Sequence, residues 1–595
     1  ADTFGYSMPP PGLLRLGGAL ERAGHAATLV DLPLEVSRGA LSLDDAFAAQ
    51  AAELLAARGP QRVYGISTMG ATLPSAVLIA DALRARDASA RIALGGPGCG
   101  SIDAEVLRRF HSVDAIVRGE GEATLVDWLA RIEDGRAWDG CAGLTWRRAD
   151  GAIAREPERA QLPPRDWPPH AWHLVPPIDA YKRAIGAADG LVALDSGRGC
   201  AYDCSFCSIG RYWGRRTRPL DAARLADEID ELLALPGARA AYLAHDLFGT
   251  DREHALALCA ELERRGGRPF EIRARADALD EELVAALGRA GCYRVLVGVE
   301  SGDPALRNAH GKHLDPACDV LALVARLDRA GITPILSLLL GLPGEDEAAL
   351  ERTLALALDA SLLAGVNLSL HLPNPQQGCR LGDDARERAR LVDGIAPDMA
   401  LGAGTTAPER ALVDAHPDLF GTFRLLARDE HEERALRRLA RMRDELGPLV
   451  QRLPRTFALV ARRLRLGVGA LFDRWQASGR SFEALARGLL DPLVDDVLAW
   501  ETALLRAGAT PQLLELGCDL VALRRALADP RADPFAARTS PARTYAVARG
   551  RRGPRTLRLS DDLARALRAR SPLPHGARVA LERAGLLSPT PATNP

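Results

Sequence analysis

The sequence predicts an α/β protein in three parts: an N-terminal Rossmann-like domain on an open parallel sheet, a partial (β/α)6 barrel, and a mostly α-helical C-terminal domain. Three observations predict it. Short apolar strands alternate with amphipathic helices over the first 130 residues. The alternation lapses in a proline-rich stretch and restarts near residue 190, and strand patterns largely vanish after about residue 385. A chain of 595 residues also exceeds the roughly 250 that one core usually supports.

In the first part, a helical pattern from Leu13 to Ala23 ends at Gly24, and Ala27 to Asp31 reads as a strand. A helix near Leu43 to Arg58 leads to the strand Val63 to Ser67, and a helix from Ser75 to Arg86 leads to Arg91 to Leu94. A last helix, about Ala104 to Phe110, precedes the strand Asp114 to Val117. Small residues follow the strands: Ser67-Thr68, Gly95-Gly96-Pro97 and Gly119-Glu120-Gly121-Glu122. Open parallel sheets bind ligands at this end, where glycine allows close backbone approach, although Gly95-Gly96 alone also suits a tight turn. Next, Gly143 to Arg147 and Ala152 to Ala154 flank Asp150-Gly151 as a β-hairpin, and Pro163 to Pro177 reads as an interdomain crossing.

The second part holds six candidate strands, beginning at Leu191, Ala241, Phe270, Val295, Ile335 and Val366, with helical patterns between them. Spacings of roughly 30 to 50 residues suit a partly closed β/α barrel, whose chemistry sits at the strand carboxyl ends. In the third part, His431 to Arg443 typifies amphipathic helices with interleaved charge. The expected divisions are 1–140, a hairpin and linker at 141–185, the barrel at 186–385, and helices at 386–595.

Charge and hydropathy exclude some classes. There are 76 basic and 78 acidic residues, a formal net charge of −2, without the basic excess expected of a nucleic-acid binder. No apolar run approaches the roughly 18 residues of a spanning helix, and the first residues do not resemble a secretory signal. The expectation is a cytoplasmic protein with no nucleic-acid or membrane partner. Basic residues are almost all arginine, with lysine only at 182 and 312, which fits a GC-rich genome and says nothing of mechanism.

Seven of the ten cysteines are scattered. The other three form Cys200-x3-Cys204-x2-Cys207 on the loop after the first barrel strand. An odd, tight triplet is a poor disulfide framework, and a structural zinc site would want a fourth ligand nearby. Three thiolates suit three irons of a cubane and leave the fourth iron open.

With Phe206 before the last cysteine, this motif resembles the radical S-adenosylmethionine superfamily. The resemblance implies a 4Fe-4S cluster on Cys200, Cys204 and Cys207. Its open iron would chelate S-adenosylmethionine, and an external one-electron reductant would release a 5′-deoxyadenosyl radical. Other segments resemble the family in the right order. Asp246, after the second strand, fits the place of a polar residue for the methionyl amine. Arg275-Ala-Asp277 looks like the Arg-x-Asp segment after the third strand. Gly298-Val-Glu300-Ser301-Gly302, followed by Lys312, matches the segment whose acid and serine approach ribose or carboxylate groups of the cofactor. Gly341-Leu-Pro343-Gly-Glu345 resembles the turn beside the adenine.

Pro9 to Leu13, Ser67-Thr68, Gly95-Gly96-Pro97 and Arg118 to Glu122 are similar to the cobalamin-binding domain that precedes many radical enzymes. The Asp-x-His-x-x-Gly motif of other cobalamin proteins is absent: Asp414-Ala-His416 lacks the glycine. The resemblance therefore implies base-off cobalamin with no histidine ligand. Most such domains open with a strand before the proline loop, and residue 1 already lies in that loop. After the sixth strand, Pro373-Asn-Pro-Gln-Gln-Gly-Cys379 departs from the family's Pro-x-Pro-Gly-Thr turn, which makes Cys379 the one candidate catalytic residue, beside the plainer reading of an inert loop cysteine.

The implied activity is a cobalamin-dependent radical S-adenosylmethionine methyltransferase. It would move a methyl group through methylcobalamin to a carbon of a small natural-product, amino-acid or peptide substrate. The C-terminal helices are expected to cap the substrate site. Non-methylating oxidative rearrangement or cyclisation with the same cofactors, methylation without a deoxyadenosyl radical, and a cobalamin or iron–sulfur sensor remain alternatives.

Overall fold

The computed structural model describes residues 8–59, 63–185, 190–245, 247–363, 365–385, 389–390, 392, 406–508, 511–529, 531–550, 553–569, 578 and 581–582. The chain divides into two compact units, Ala1–Gly344 with Leu370–Ala440, and Glu345–Ser369 with Arg441–Pro595.

The first unit begins with helix Pro11–Arg22 and a five-stranded sheet: β1 (Val63–Ser67), β2 (Arg91–Gly95), β3 (Ala115–Val117), β4 (Leu144–Arg147) and β5 (Ile153–Arg155), in that spatial order. β1, β2 and β3 are parallel, with Ser67 beside Gly95, so the loops after them emerge at one end. The hairpin β4–β5 continues the sheet antiparallel rather than standing apart from it. Ala27–Asp31 is not a strand. Its last residue instead caps helix Leu32–Ser37, the Asp31 carboxylate accepting from the Leu34 N–H at 3.3 Å, with a proline in the first turn.

Residues after 405 return to this sheet. Val413, Leu419, Phe420 and Phe423 are buried in one apolar cluster with Leu73, Val77, Leu94 and Val106. The His416 ring packs edge-on against Phe110 at 5.3 Å, and Arg109 pairs with Asp418 at 2.7 Å. The stretch expected as a single C-terminal region therefore divides, with 406–440 in the first unit and 441–582 in the second.

The barrel strands are β6 (Leu191–Leu194), β9 (Ala240–Leu243), β10 (Phe270–Arg275), β11 (Cys292–Glu300), β12 (Thr333–Leu339) and β13 (Asn367–His371); a short ladder joins β7 (Gly197–Arg198) to β8 (Arg218–Pro219). Spatial order is β13-β12-β11-β10-β9-β6, an open parallel sheet in chain order. The helices between have local causes. Asp221, Asp251, Asp280 and Asp319 each cap the next helix by accepting from its first-turn N–H groups. A two-residue ladder, β14 (Ala389–Arg390) with β15 (Leu425–Leu426), closes the first unit.

The second unit packs helix Glu347–Leu363 with helices between Gly447 and Leu505 and with Leu520–Ala528. The Glu351 carboxylate accepts from the Val468 and Gly469 N–H groups at 2.6 and 2.9 Å. The unit also holds an antiparallel sheet that hydropathy did not reveal: β16 (Gln512–Cys518), β17 (Arg538–Gly550) and β18 (Gly553–Arg558). β17 contains Ala542, Ala546, Ala548, Arg543 and Arg549, which carry little strand propensity. Among the described residues no helix is long and apolar enough to cross a membrane.

Candidate functional site

Cys200, Cys204 and Cys207 lie half-buried on the loop after β7, none of them in a disulfide. The backbone fixes this loop at several points. Gly199 has φ +91°, and a Cβ there would meet the Arg216 carbonyl at 2.0 Å, so only glycine fits. The Cys200 N–H donates to Gly214 O at 3.2 Å, and the Cys207 N–H to Cys204 O at 3.1 Å. Between the cysteines, the Ser205 N–H donates to His310 O at 2.9 Å, and Ser205 O accepts from the Leu381 N–H at 2.7 Å. The Ser205 hydroxyl and Pro343 O take the two ring nitrogens of His310, at 2.7 and 2.9 Å. A carbonyl only accepts, so Nε2 carries a proton toward Pro343 O. Among the described residues no three His, Cys, Asp or Glu converge on a single metal ion. Three cysteines outside any disulfide on one fixed loop fit a cubane, in which each thiolate binds a different iron.

Around the loop lie the residues that follow the barrel strands. The Arg275 guanidinium stacks on the ring of Tyr202, 3.7 Å from its centroid, and bonds Asp277 at 2.9 Å through two nitrogens. Burial alone would raise the Asp277 carboxyl, but the Arg275 bonds outweigh it and hold the group below its ordinary value. Glu300 ends β11 with φ +72°, a left-handed conformation rare outside glycine. Its carboxylate, nearly buried, is 3.0 Å from Lys312 Nζ. Ser301 is fully buried, and its hydroxyl accepts from the Asp303 N–H at 3.0 Å. Gly341 has φ +91°, and exposed Pro343 lends its carbonyl to His310. Asp246 lies outside the described residues. Its neighbour His245 is buried against Gly197, and burial lowers the imidazole to about 4.

At the carboxyl end of the N-terminal sheet, the Thr68 N–H and hydroxyl both donate to Gly95 O, at 2.7 and 2.9 Å. Gly96 has φ +96°, and a Cβ there would lie 2.4 Å from Thr68 O. These contacts interlock buried Thr68 with half-buried Gly95 and Gly96, and exposed Ser67 and half-buried Pro97 flank them on one glycine-lined rim. The rim reaches the cysteine loop: a Cβ at Gly100 would touch the Tyr212 ring at 3.9 Å, and the Tyr212 hydroxyl donates to Gly119 O at 3.3 Å. A Cβ at Gly378 would lie 3.4 Å from Ser101 and 3.9 Å from Ser208.

The structure thus brings the three cysteines, half-buried Phe206, Arg275, Glu300, Ser301, Gly341 and Pro343 to one end of the barrel, beside the Ser67, Gly95 and Gly119 loops. Two of the candidates have their polar atoms engaged within the chain. Cys379 is fully buried, its thiol donating to Gln376 O at 3.1 Å and accepting from the Gly382 N–H at 3.2 Å, and burial pushes it up. That is the setting of an inert thiol. The Glu120 carboxylate is committed to Arg218 and Arg198. Sequence reasoning missed Arg198, Tyr212 and His310; the only signal was their nearness to the motifs.

Residues 1–129 match the B12 binding domain family, and residues 194–357 match the Radical SAM superfamily. Over 354 residues the chain is 26% identical to an uncharacterised methyltransferase of Pyrococcus horikoshii, covering 59% of this chain and 74% of that one. It is 28% identical to the anaerobic magnesium-protoporphyrin IX monomethyl ester cyclase of Rubrivivax gelatinosus, over 43% of this chain and 46% of that one. It is 24% identical to the hopanoid C-3 methylase of Methylococcus capsulatus, over 50% and 54%. Among solved structures the fold is similar to the radical S-adenosylmethionine methyltransferase TsrM from Kitasatospora setae, at TM-score 0.53 and 20% identity over 69% of this chain and 86% of that one. It is also similar to the cobalamin-dependent radical enzyme OxsB, at TM-score 0.54 and 15% identity over 85% and 73%.

Proposed function

We propose that this chain is a cobalamin-dependent radical S-adenosylmethionine methyltransferase that moves a methyl group to a carbon of a natural-product, amino-acid or peptide substrate. One observation carries the reading: the rim of the N-terminal sheet and the cysteine loop share a wall, joined through Tyr212 and Gly119. The cofactors when bound supply one-electron chemistry, a methyl donor and a methyl carrier. The chain's own work is to hold them in register. Cys200, Cys204 and Cys207 would bind the cluster, while Glu300, Ser301, Arg275, Asp246, Gly341, Pro343 and Phe206 would surround S-adenosylmethionine. The loops at Ser67-Thr68, Gly95 to Pro97 and Gly119 would carry cobalamin in residues 1–140, with the barrel at 186–385.

No histidine occurs between His25 and His111, so the rim loops offer cobalt no imidazole, which supports the base-off form. The deciding experiment is anaerobic turnover of reconstituted protein with candidate substrates. S-adenosylhomocysteine is expected, together with 5′-deoxyadenosine; no S-adenosylhomocysteine in the presence of converted substrate would sink the reading. Likeness to the cyclase favours a second reading, oxidative cyclisation, which would give 5′-deoxyadenosine alone.

A further inference from the structure

Arg198 is almost fully buried, with 3% of its side chain exposed, two residues before the first cluster cysteine. Its guanidinium lies between two indoles, 4.4 Å from the centroid of Trp167 and 5.0 Å from that of Trp213. Three carboxylates surround it: Glu122 at 2.6 Å, Asp195 at 2.7 Å and Glu120 at 3.3 Å. Arg218, its ladder partner across β7 and β8, takes the other oxygen of Glu120. Glu120 precedes helix Gly121–Glu133, which follows β3 of the N-terminal sheet, and Glu122 lies in its first turn, whereas Arg198, Arg218 and Asp195 belong to the strands and turn that carry the cysteine loop. Both Glu120 oxygens and Oε1 of Glu122 are thus engaged by arginine.

We propose that Arg198 is a positioning residue, a latch that docks the Gly119–Glu122 helix start onto the cysteine loop and so sets the separation and orientation of the two cofactor sites. A buried ion cluster is a poor means of adding stability, since apolar residues would serve as well, and its best-attested use is to fix register. Two planar indoles and three carboxylates fix the guanidinium in position and in plane. The register passes on without slack: Arg198 is paired to Arg218, Gly199 admits no other residue, and Cys200 is tied to Gly214. On the other side, the Tyr212 bond to Gly119 O ties the same helix start a second time.

The inference rests on the proposed pairing of cobalamin with the cluster, and the test separates the two. Arg198→Lys and Arg198→Met holoenzymes are compared with wild type for iron, sulfide and cobalt content, for the spin coupling between reduced cluster and cob(II)alamin, and for amide exchange. The expected result is full loading with altered spin coupling and faster exchange of 118–126 and 197–207 together. Turnover should fall by about 100-fold in kcat with little change in KM for S-adenosylmethionine, as for an ångström-scale misplacement. Arg198→Lys, which keeps the charge but not the planar fork, should fall between. Unchanged coupling and exchange would overturn the latch. So would loss of cobalamin from Glu122→Gln without change in exchange, because the acid would then bind cofactor. A wild-type protein that takes up no cobalamin would sink the functional reading, while the exchange data would still decide the latch.

Discussion

At the scale of single residues, Glu300 concentrates the site's physical peculiarities. A non-glycine residue at φ +72° costs about 1–3 kcal/mol and persists only where its surroundings hold it. Here Lys312 at 3.0 Å and the Ser337 hydroxyl at 3.5 Å do so. A carboxylate on a strained backbone, paired with a nearly buried ammonium, costs more at the end of β11 than an uncharged residue would, which supports the role proposed for it beside S-adenosylmethionine. Glu300→Gln keeps size and backbone but removes the charge. S-adenosylmethionine should then bind about tenfold more weakly, the scale of a lost hydrogen bond to a charged group, measured by titration calorimetry on the reconstituted protein. Unaltered affinity would remove Glu300 from the site. The sequence marked this position through its Gly-Val-Glu-Ser-Gly setting, but the backbone strain and the Lys312 pair are visible only in the fold.

Between elements, helix Pro11–Arg22 is tied to helix Ala222–Ala234 by Arg15, fully buried and 2.8 Å from Glu228. Burial alone would raise the Glu228 carboxyl; the His170 hydrogen bond and the Arg15 guanidinium outweigh it and bring it down from 4.5 to about 2. A carboxyl depressed in the folded state stabilises fully above its unfolded value and loses that contribution as pH falls. The window here is from about 4.5 down to about 2, and the gap corresponds to about 3 kcal/mol. The urea midpoint should therefore drop across this range in wild type and drop less in Glu228→Gln; equal slopes would refute the assignment. Such ties show why the elements were more legible than their docking. Leu191–Leu194 announces itself as an apolar run and Phe270–Arg275 by alternation, while aspartates such as Asp221 and Asp280 mark helix starts. Arg15 and Glu228 are 213 residues apart, and Arg198 and Glu122 76 apart, so no local pattern links them. Ala27–Asp31 failed as a strand for a related reason: its composition is right, but no neighbour pairs with it, and Pro33 starts a helix at once.

Across the whole molecule, the division into units cuts through the barrel's own chain order, because helix Glu347–Leu363, between the fifth and sixth strands, belongs to the second unit. Hydropathy alone reads that helix as one more barrel helix and the C-terminal residues as a separate cover. In the structure its buried Leu350, Leu354 and Leu358 lie in the unit formed with residues 441–582, and its Glu351 is bonded by Val468 and Gly469. The C-terminal region is thus part of how this helix folds. Each fully buried leucine returned to water costs about 1.5–3 kcal/mol, so several together rival the whole stability of a domain. Truncation after Ala440 should consequently yield aggregating protein with reduced cluster content. A mere cover could be removed with the cluster intact and only turnover lost. Iron and sulfide analysis of the truncated protein, with size-exclusion chromatography, distinguishes the two, and a monodisperse, fully loaded truncation would show that Glu347–Leu363 folds without its C-terminal partners.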